Sequence, residues 1–391
     1  MDIELLRNSP SGRLVRAGPN DAAYWAFVPN PLPPDLPPDV ELMRASTDAA
    51  YALGELAALG RTIANPHLLI GPFVRREAVL SSRIEGTQAN ISDLYAYEAG
   101  QLSGMAAAPS SGDVHEVANY VDALEYGLSR LASLPVSLRL MRELHGRLMQ
   151  GVRGGHATPG EFRRSQNWIG RPGCSLNEAE YVPPPPDEML AALDAFEKYL
   201  HAEEEQPRLV QLAFIHQQFE AIHPFLDGNG RIGRLLISLL LVEWGLLPLP
   251  LLYLSAYFEP HRQAYYDLLL AVNTEGAWRA WVLFFLRGIA EQARDAGARA
   301  KRLQDLQAEW RTRLTDARSS VLLLRLTDEL FKVPVITLPQ AQRILSVTHR
   351  SATVIVERLV AEGILHPVTG RVRNRQFVAQ AILDVAGDEA S

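Results

Sequence analysis

The sequence predicts a mainly α-helical protein with a short β-hairpin and a small winged helix-turn-helix domain in its last 61 residues. Apolar side chains recur at steps of three and four along 208–222 and again along 231–244. Two further segments have the composition of helices. Residues 41–63 are rich in alanine and leucine, and residues 291–314 combine charged residues with alanine. Short apolar pieces separated by glycine and proline predict the hairpin.

Composition and charge exclude several classes of protein. The chain has 391 residues, 47% of them hydrophobic and 21% charged, with a net charge of −7, which argues against a nucleic-acid coat protein. The single cysteine, Cys174, cannot form an intrachain disulfide, and this suits the cytoplasm. Met1–Pro10 lacks the apolar core of a signal peptide. The most apolar run, 235–256, is interrupted by Glu243 and two prolines, so we expect a core helix there and no membrane span.

The remaining elements follow from local signals. Residues 1–38 show little periodicity, and Pro29–Pro38 predicts a proline-rich extended arm. Gly100–Asp113 is rich in small residues and predicts a loop. We expect helices, in chain order, at Glu41–Ile63, Gly71–Glu85, Val114–Ala132, Ser137–Leu148, 187–202, Arg208–Ile222, Arg231–Trp244, from His261 onwards, at Trp278–Ala290 and at Glu291–Leu314.

The stretch from His223 to Arg234 combines two predicted helix ends with a glycine turn. Pro224 disfavours helical geometry in the residue before it, so His223 should lie at the break. The turn then directs free backbone N–H groups and the positive end of the second helix dipole towards one point, an arrangement that binds phosphate. The stretch therefore predicts a nucleotide site.

The side chains of this stretch have matching chemistry. Arg231 and Arg234 share a face of the second helix, where a bound polyphosphate would neutralise them. Asp227 is a hard oxygen ligand suited to Mg²⁺. His223 is the group able to accept a proton near neutral pH.

A dinucleotide-binding interpretation has to be weighed, because Gly228, Gly230 and Gly233 also satisfy G-x-G-x-x-G. That motif is meaningful between a strand and a helix, with an acidic residue about 20 positions further on. Here a helical segment precedes the glycines and Glu243 comes too early. A purely structural turn would need the glycines alone, without His223 and the arginines.

His223 to Arg234 matches the Fic signature H-x-F-x-[D/E]-G-N-G-R-x-x-R at every specified position. The chain thus resembles Fic proteins, mostly helical enzymes that typically transfer AMP from ATP to a protein hydroxyl. The resemblance implies that His223 is the catalytic base and Asp227 the Mg²⁺ ligand. It also implies an ATP site formed by Gly228, Asn229, Gly230, Arg231, Ile232, Gly233 and Arg234.

A second motif lies nearer the beginning of the chain. Ser81 to Gly86 resembles the inhibitory motif [S/T]-x-x-x-E-[G/N] of Fic proteins that carry their inhibitor before the core. The resemblance implies that Glu85 pairs with Arg234 and obstructs the ATP γ-phosphate. Glycine at position 86 is also what closes a helix, and a glutamate at a helix end could equally be an exposed side chain.

The predicted hairpin is formed by Asn167–Gly170 and Tyr181–Val182. It resembles the Fic flap, whose edge receives an extended target segment, and this assigns target docking to Trp168, Ile169 and Gly170. An ordinary surface hairpin is the alternative. Tyr266, in preference to Tyr265, is expected beside the nucleotide, although either could be a core aromatic residue.

The tail has a different character. Thr337 and Thr348 can cap two short helices joined by a tight turn, and alternating residues around Gly370 predict a wing. The segment from Lys332 to Gln380 contains seven Lys or Arg residues and two Glu residues, so its charge is opposite in sign to that of the whole chain. Contact with DNA phosphates, or use of the tail as a protein-docking module, are both open interpretations. The basic residues concerned are Arg350, Arg371, Arg373 and Arg375.

These signals divide the chain into residues 1–110 (arm and inhibitory helix), 111–290 (Fic core), 291–330 (linker helix) and 331–391 (winged helix-turn-helix). They favour a cytoplasmic, autoinhibited protein adenylyltransferase that modifies a Ser, Thr or Tyr hydroxyl of a target protein and of itself. The alternatives are removal of AMP by the same site and a nucleotide-sensing DNA-binding regulator. A homodimer remains open.

Overall fold

Helices make up most of the protein. The computed structural model describes residues 1–19, 23–62, 67–102, 112–152, 158–171, 173–203, 205–316, 321–368 and 375–387. The helices are α1 Ile3–Arg7, α2 Val40–Thr62, α3 His67–Ile84, α4 Ile91–Leu102, α5 Gly112–Arg130, α6 Leu138–Leu148, α7 Pro186–Leu200, α8 Arg208–Ile222, α9 Asn229–Glu243, α10 Ser255–Phe258, α11 Arg262–Glu275, α12 Trp278–Asp316, α13 Val321–Leu330, α14 Leu338–Leu345, α15 His349–Ala361 and α16 Gln380–Ala386. The predicted mainly α-helical class is confirmed.

Two small antiparallel sheets accompany the helices. Strands β1 (Gly12–Ala17) and β2 (Tyr24–Pro29) form a hairpin, with Gly12 opposite Pro29. Strands β3 (Val335–Thr337), β4 (His366–Pro367) and β5 (Gln376–Val378) form a sheet in the order β3-β5-β4.

Residues 1–38 show little periodicity in sequence, yet they contain α1 and the β1–β2 hairpin. Strand β2 ends at Pro29, the first residue of the predicted proline-rich arm. The backbone N–H of Phe27 in β2 donates to Val182 O at 2.9 Å, so this hairpin lies against the segment that leads out of the flap. Its stability depends on that distant partner, which local periodicity does not reveal.

Helix α4 was not predicted, although its sequence carries a capping signal. Asn90 Oδ1 accepts from the backbone N–H of Asp93 at 2.8 Å, and Asp93 Oδ2 accepts from the N–H of Asn90 at 3.1 Å. This reciprocal pair begins the helix as a capping box does. Helix α4 therefore extends past Gly100, where a loop was predicted, to Leu102, and residues 103–111 lie outside the described part of the chain.

Helix α12 is continuous, so the predicted break between Ala290 and Glu291 is wrong. Its 39 residues pack along α2. The apolar stripe continues beyond the expected break through Ala293, Ala296, Ala300 and Leu303, all buried. A helix boundary placed by composition alone ignored this stripe, which keeps the helix intact.

The tail contains the elements predicted for a winged helix-turn-helix, in the order α13-β3-α14-α15-β4-β5. Thr337 caps α14 in a capping box with Gln340, whose Oε1 accepts from the Thr337 N–H at 2.7 Å. Ser346 turns the chain with φ of 55°, and Thr348 caps α15. The wing tip around Gly370, with Arg371 and Arg373, lies outside the described residues.

The tail shares one hydrophobic core with the rest of the protein. Arg299 of α12 donates to Val385 O at 2.9 Å and to Gly387 O at 3.0 Å, which attaches α16 to the long helix. The predicted division at residue 331 stays a prediction. None of the described helices combines the length and apolarity needed to cross a bilayer.

Helix α3 begins earlier than predicted, at His67, and ends close to the predicted position, at Ile84. It begins four residues before Gly71 and carries Pro72 at its sixth position, where the missing N–H leaves the carbonyl four residues earlier without its helical hydrogen bond. It ends at Ile84, and Gly86 has φ of +101°, as expected for a closing glycine. The end of α3 lies against α9, whose N-terminal turn forms the floor of the site described next.

Candidate active site

The turn between α8 and α9 is held in one conformation by its own side chains. His223 ends α8 in the left-handed region (φ 49°, ψ 61°), and Gly228 precedes α9 with φ of 80°. Asn229 Oδ1 accepts from the N–H of Phe225 and its Nδ2 donates to Phe225 O, both at 2.8 Å. The Asn229 side chain is thus bound to the loop itself, so its backbone N–H, at the beginning of α9, is the group of this residue that could bind a ligand.

The first turn of α9 provides an anion-binding surface. Its leading N–H groups have no carbonyl partner within the helix, because no turn precedes them. They carry the positive end of a 15-residue helix. A side chain at Gly230 would collide with Glu85 Oε1, so the space directly above this turn is already occupied by a carboxylate oxygen.

His223 is held as a neutral base. Burial lowers the pKa of its imidazole to about 4, and the Arg163 guanidinium contributes in the same direction. Nδ1 lies 3.3 Å from Glu220 O and, as a neutral imidazole, donates its proton there. The Nε2 lone pair then remains, and among the described residues no hydrogen-bond donor engages it. The ring is able to accept a proton from a molecule outside the protein.

Arg234 is buried against the end of helix α3, with its side chain 1% exposed. Its Nε donates to Ser81 Oγ at 2.8 Å and its Nη2 donates to Ser81 O at 2.9 Å and to Glu85 Oε1 at 2.6 Å. Its Nη1 is buried without a hydrogen-bond partner and lies beside Gly230. The predicted pairing of Glu85 with Arg234 is therefore present, and Ser81, for which no such contact was predicted, binds the same guanidinium.

The Glu85 carboxylate is ionised in this position. Burial alone would raise its pKa, but the adjacent Arg234 outweighs burial and holds the pKa below its ordinary value. The side chain is 35% exposed, so it reaches Arg234 from the mouth of the site and not from the core.

Arg231 is paired with a residue that the sequence did not indicate. Its side chain is 4% exposed, and Nη1 donates to Glu116 Oε2 of α5 at 3.0 Å. Asp227 Oδ1 lies 3.6 Å from Arg231 Nη2 and accepts from the Gly228 N–H at 2.6 Å. Asp227 is otherwise open, with 55% of its side chain exposed.

His145 of α6 was also missed. Its Nδ1 accepts from the Gly160 N–H at 2.9 Å, so in the neutral ring it is Nε2 that donates to Asp227 O, at 3.1 Å. Burial lowers the pKa of His145 to about 4, and the ring stacks on Phe225 at 3.9 Å. This histidine thus holds the backbone of the loop that carries Asp227. Its helical spacing matches a core position, and nothing local distinguishes it from one.

Two predicted ATP-site residues do not present side chains to the site. Ile232 is fully buried in the core. The absent side chain of Gly233 leaves room for Glu220, whose Oε1 is buried without a hydrogen-bond partner. Burial raises the pKa of Glu220 to about 8, so this acid is neutral at pH 7.

The two tyrosines of α11 differ in position. Tyr265 is 1% exposed and its hydroxyl pairs with His216 Nε2 at 2.9 Å, which makes it a core residue. Tyr266 is 37% exposed and its hydroxyl donates to Ile84 O at 3.3 Å, at the end of helix α3. Of the pair, Tyr266 is the one that borders the site.

The flap is smaller than the predicted hairpin. Its two sides meet in a single antiparallel bridge, in which the Ile169 N–H donates to Tyr181 O at 2.8 Å. Trp168 and Ile169 are exposed, and Trp168 Nε1 donates to Cys174 O at 3.0 Å. Gly170 packs so closely on Cys174 that a side chain would meet its sulfur at 2.7 Å.

Among the basic tail residues, Arg350 and Arg375 are described. Both are exposed, Arg350 near the beginning of α15 and Arg375 just before β5. The guanidinium carbon Cζ of Arg375 lies 5.6 Å from the centroid of the Phe377 ring.

Comparison with known proteins identifies two domains in the chain. The Fic/DOC family N-terminal domain matches residues 43–129, and the Fic/DOC family domain matches residues 135–241. The second match contains the α8–α9 turn with His223, and the first contains Glu85.

Among curated proteins, the protein adenylyltransferase Fic of Culex quinquefasciatus is 34% identical over 154 residues, which is 38% of this chain and 27% of that protein. The protein of the same name from Drosophila grimshawi is 33% identical over 168 residues, 41% of this chain and 30% of that protein. The chain therefore spans less than a third of the length of these relatives.

Among solved structures, a Fic family protein from Desulfovibrio desulfuricans G20 is 18% identical with a TM-score of 0.54. The superposition covers 89% of this chain and 98% of the chain of that protein. At that identity the similarity concerns the fold alone, and it extends well beyond the two matched domains.

Proposed function

Because the chain belongs to the Fic/DOC family over residues 43–241, we propose that it is a protein adenylyltransferase that moves AMP from ATP to a Ser, Thr or Tyr hydroxyl of a target protein and of itself. The observation that carries the proposal is the position of His223. A neutral imidazole with a free Nε2 lies at the edge of a helix N-terminus that has two buried arginines.

The proton and the bonds can be followed atom by atom. A target hydroxyl approaches along the flap and gives its proton to His223 Nε2. Its oxygen attacks the α-phosphorus, and the bond from that phosphorus to the bridging oxygen breaks. Pyrophosphate leaves with the bonding electron pair. Since His223 is neutral under ordinary conditions, it is in the form that accepts the proton.

The phosphate chain would lie across the first turn of α9. The backbone N–H groups of Asn229 and Gly230 would bind its oxygens, supported by the helix dipole, while the Gly228 N–H stays with Asp227. Arg231 and Arg234 neutralise the charge that develops on pyrophosphate, so catalysis comes from positioning and electrostatics. The unpartnered Nη1 of Arg234 faces this space and is suited to a γ-phosphate oxygen.

Asp227 fits the role of the Mg²⁺ ligand. Mg²⁺ in nucleotide sites commonly takes one or two carboxylates, with phosphates and waters as its other ligands. Asp227 provides one half-exposed carboxylate, and the described residues contain no cluster of three or more potential ligands. When bound, the ion would neutralise charge on the α- and β-phosphates. The hydrogen bond from the Gly228 N–H orients the carboxylate for this purpose.

Glu85 would act as an inhibitor. Its carboxylate occupies the space above Gly230 and takes one of the Arg234 donors that a γ-phosphate needs. ATP could still enter through its adenosine end, beside Tyr266, but its phosphates would not reach a productive position. Removal of AMP by the same site is the alternative, with Glu85 orienting a water molecule.

For the tail we propose contact with duplex DNA. The exposed Arg350 lies in the first turn of α15, the helix that enters the groove in helix-turn-helix proteins, and Arg375 lies beside the wing. The alternative use is docking of a protein partner.

The central proposal is tested by incubating the full chain and its Glu85→Gly variant with ATP labelled at the α-phosphate and with a soluble lysate. Mass spectrometry then identifies modified side chains. AMP attached to hydroxyl side chains supports the proposal. Absence of any adduct from both proteins, with ATP binding intact, would contradict it.

A further inference from the structure

Arg163 lies beneath the turn that carries His223 and is 2% exposed. Its Nε donates to His223 O at 2.9 Å, and its Nη2 lies 3.5 Å from Ile222 O. Nη2 also donates to Pro184 O at 2.5 Å, and Nη1 donates to Ser165 O at 3.3 Å. One guanidinium therefore joins the end of α8 to the segments entering and leaving the flap.

Further hydrogen bonds reinforce this junction. The backbone N–H of Arg163 donates to Pro224 O at 2.9 Å. Asn167, on the first side of the flap, donates through Nδ2 to Phe225 O at 2.7 Å and to His223 O at 3.4 Å. Three consecutive carbonyls of the catalytic turn are thus held from the flap side.

Burying the charged Arg163 side chain costs folding free energy, which a purely structural role would not require. No acidic side chain among the described residues forms an ion pair with it, and its acceptors are all backbone carbonyls. Burial lowers its pKa to about 10, so it stays protonated at neutral pH. A buried cation without a counter-ion opposes folding unless hydrogen bonds compensate. An apolar side chain would fill the same space without that penalty.

His223 requires such support. Its φ of 49° is a conformation that residues other than glycine rarely adopt, and surrounding contacts have to hold it. The donors of Arg163 act on the carbonyl of this residue and on those of its two neighbours.

We propose that Arg163 is a positioning residue, which fixes the turn bearing the base against the flap that delivers the target hydroxyl. This inference rests on the proposed function. Arg163 forms no hydrogen bond with the proposed ATP-binding groups, which are the beginning of α9, Arg231 and Arg234. Loss of the guanidinium should therefore lower kcat while the affinity for ATP stays as it was.

The charge has a second effect that packing alone would not produce. The charged groups acting on His223 are Arg163, which disfavours the imidazolium, and the carboxylates of Glu85 and Asp227, which favour it. Without the Arg163 charge, the pKa of His223 rises. The acidic limb of the rate profile then moves to higher pH.

The experiment uses the full chain with Glu85→Gly as the parent, ATP labelled at the α-phosphate, and the chain itself and soluble lysate as acceptors. Arg163→Met, Arg163→Lys and the control Arg164→Met are compared. A displacement of about 1 Å at a reacting group lowers the rate roughly a hundredfold, and we expect a loss of that order for Arg163→Met. Arg163→Lys keeps the charge and should recover part of the rate. Arg164 has a side chain that is 91% exposed, and its variant should match the parent.

The inference is wrong if Arg163→Met transfers AMP as fast as Arg164→Met. It is also wrong if a lower affinity for ATP accounts for the whole loss of rate in Arg163→Met. If Arg163→Met does not fold, Asn167→Ala tests the same junction, and an unchanged kcat there has the same meaning. If the parent transfers no AMP, the proposed function fails by itself. Hydrogen exchange at the backbone amides of His223 and Phe225 then decides the inference, because it is expected to quicken in Arg163→Met and not in Arg164→Met.

Discussion

Glu85 Oε1 accepts a hydrogen bond from Arg234 Nη2 at 2.6 Å, across 149 residues of sequence. The same oxygen occupies the space in which a side chain at Gly230 would lie. One carboxylate thus neutralises a buried arginine and covers the helix N-terminus at once. Under the proposed function a nucleotide triphosphate needs both the arginine and the helix N-terminus, and we infer that this contact opposes productive binding of its phosphates.

Replacing Glu85 by Gly should therefore raise AMP transfer. The pair is partly buried and charge-assisted, and each 1.4 kcal/mol released is about a tenfold gain in productive occupancy. We expect roughly a tenfold or greater increase in labelled AMP on the chain and on lysate proteins. Glu85→Gln is the matched control that keeps the size of the side chain and removes its charge, and its activity should lie between the two. Adding Arg234→Ala should cancel the gain.

Two results would change this assignment. Activity of Glu85→Gly no higher than that of the unsubstituted chain would refute inhibition by Glu85. Loss of the ability to strip AMP from a modified target would instead favour the AMP-removing alternative.

Replacing His223 by Ala should lower transfer by a factor of about 10² to 10⁴, the range expected for loss of a general base. ATP affinity should stay close to that of the parent, because the phosphates are held by α9 and the arginines. Labelled transfer and calorimetric ATP binding, both in the Glu85→Gly background, separate the two effects. His201→Ala, at the exposed end of α7, serves as the control. Transfer that survives near the parent rate would remove His223 from the mechanism.

Glu77 predicts a pH dependence of stability. It is 1% exposed on α3 and its Oε1 accepts from Ser255 Oγ at 2.6 Å and from the Tyr120 hydroxyl at 3.0 Å. Burial raises its pKa to about 7 from an ordinary value of 4.5. Between these values the folded protein retains a proton that the unfolded chain has released. Its contribution to stability is complete below pH 4.5 and is lost as the pH rises through 7.

Glu77→Gln removes this titration, so the melting temperature of the variant relative to the parent should rise between pH 5 and pH 8. Thermal unfolding across that interval measures the difference. Glu203→Gln, which replaces an exposed carboxyl, should leave the dependence unchanged. A constant difference between Glu77→Gln and the parent at all pH values would show that Glu77 does not titrate in this window.

The tail should bind duplex DNA with an affinity that falls as salt rises, because its arginines release counterions from phosphates. The full chain is the correct material, since the tail shares its core with α12. Polarisation with mixed genomic fragments at several salt concentrations measures the affinity. Arg350→Ala should weaken binding several-fold and reduce the salt slope by about 1, whereas the exposed Arg139→Ala on α6 should not. Absence of binding at low salt would assign the tail to protein docking.

Local sequence determined much of this protein. The periodicity from Arg208 to Ile222 predicted α8 at its observed bounds, and Thr337 with Gln340 predicted the start of α14. Such elements depend on neighbours a few positions apart, which local sequence contains. The signature from His223 to Arg234 likewise placed a histidine, a carboxylate and the glycine turn on one short segment.

The tertiary structure alone decided which residues support that segment. Glu116, His145 and Arg163 reach the site from distances of 60 to 115 residues, and at their own positions they resemble ordinary helix or loop residues. The β1–β2 hairpin and the unbroken α12 depend in the same way on distant partners, Val182 and α2. Burial then set the chemistry, because removal of water and the nearby Arg163 cation lower the pKa of His223 to about 4, so its imidazole stays neutral over a wider pH range.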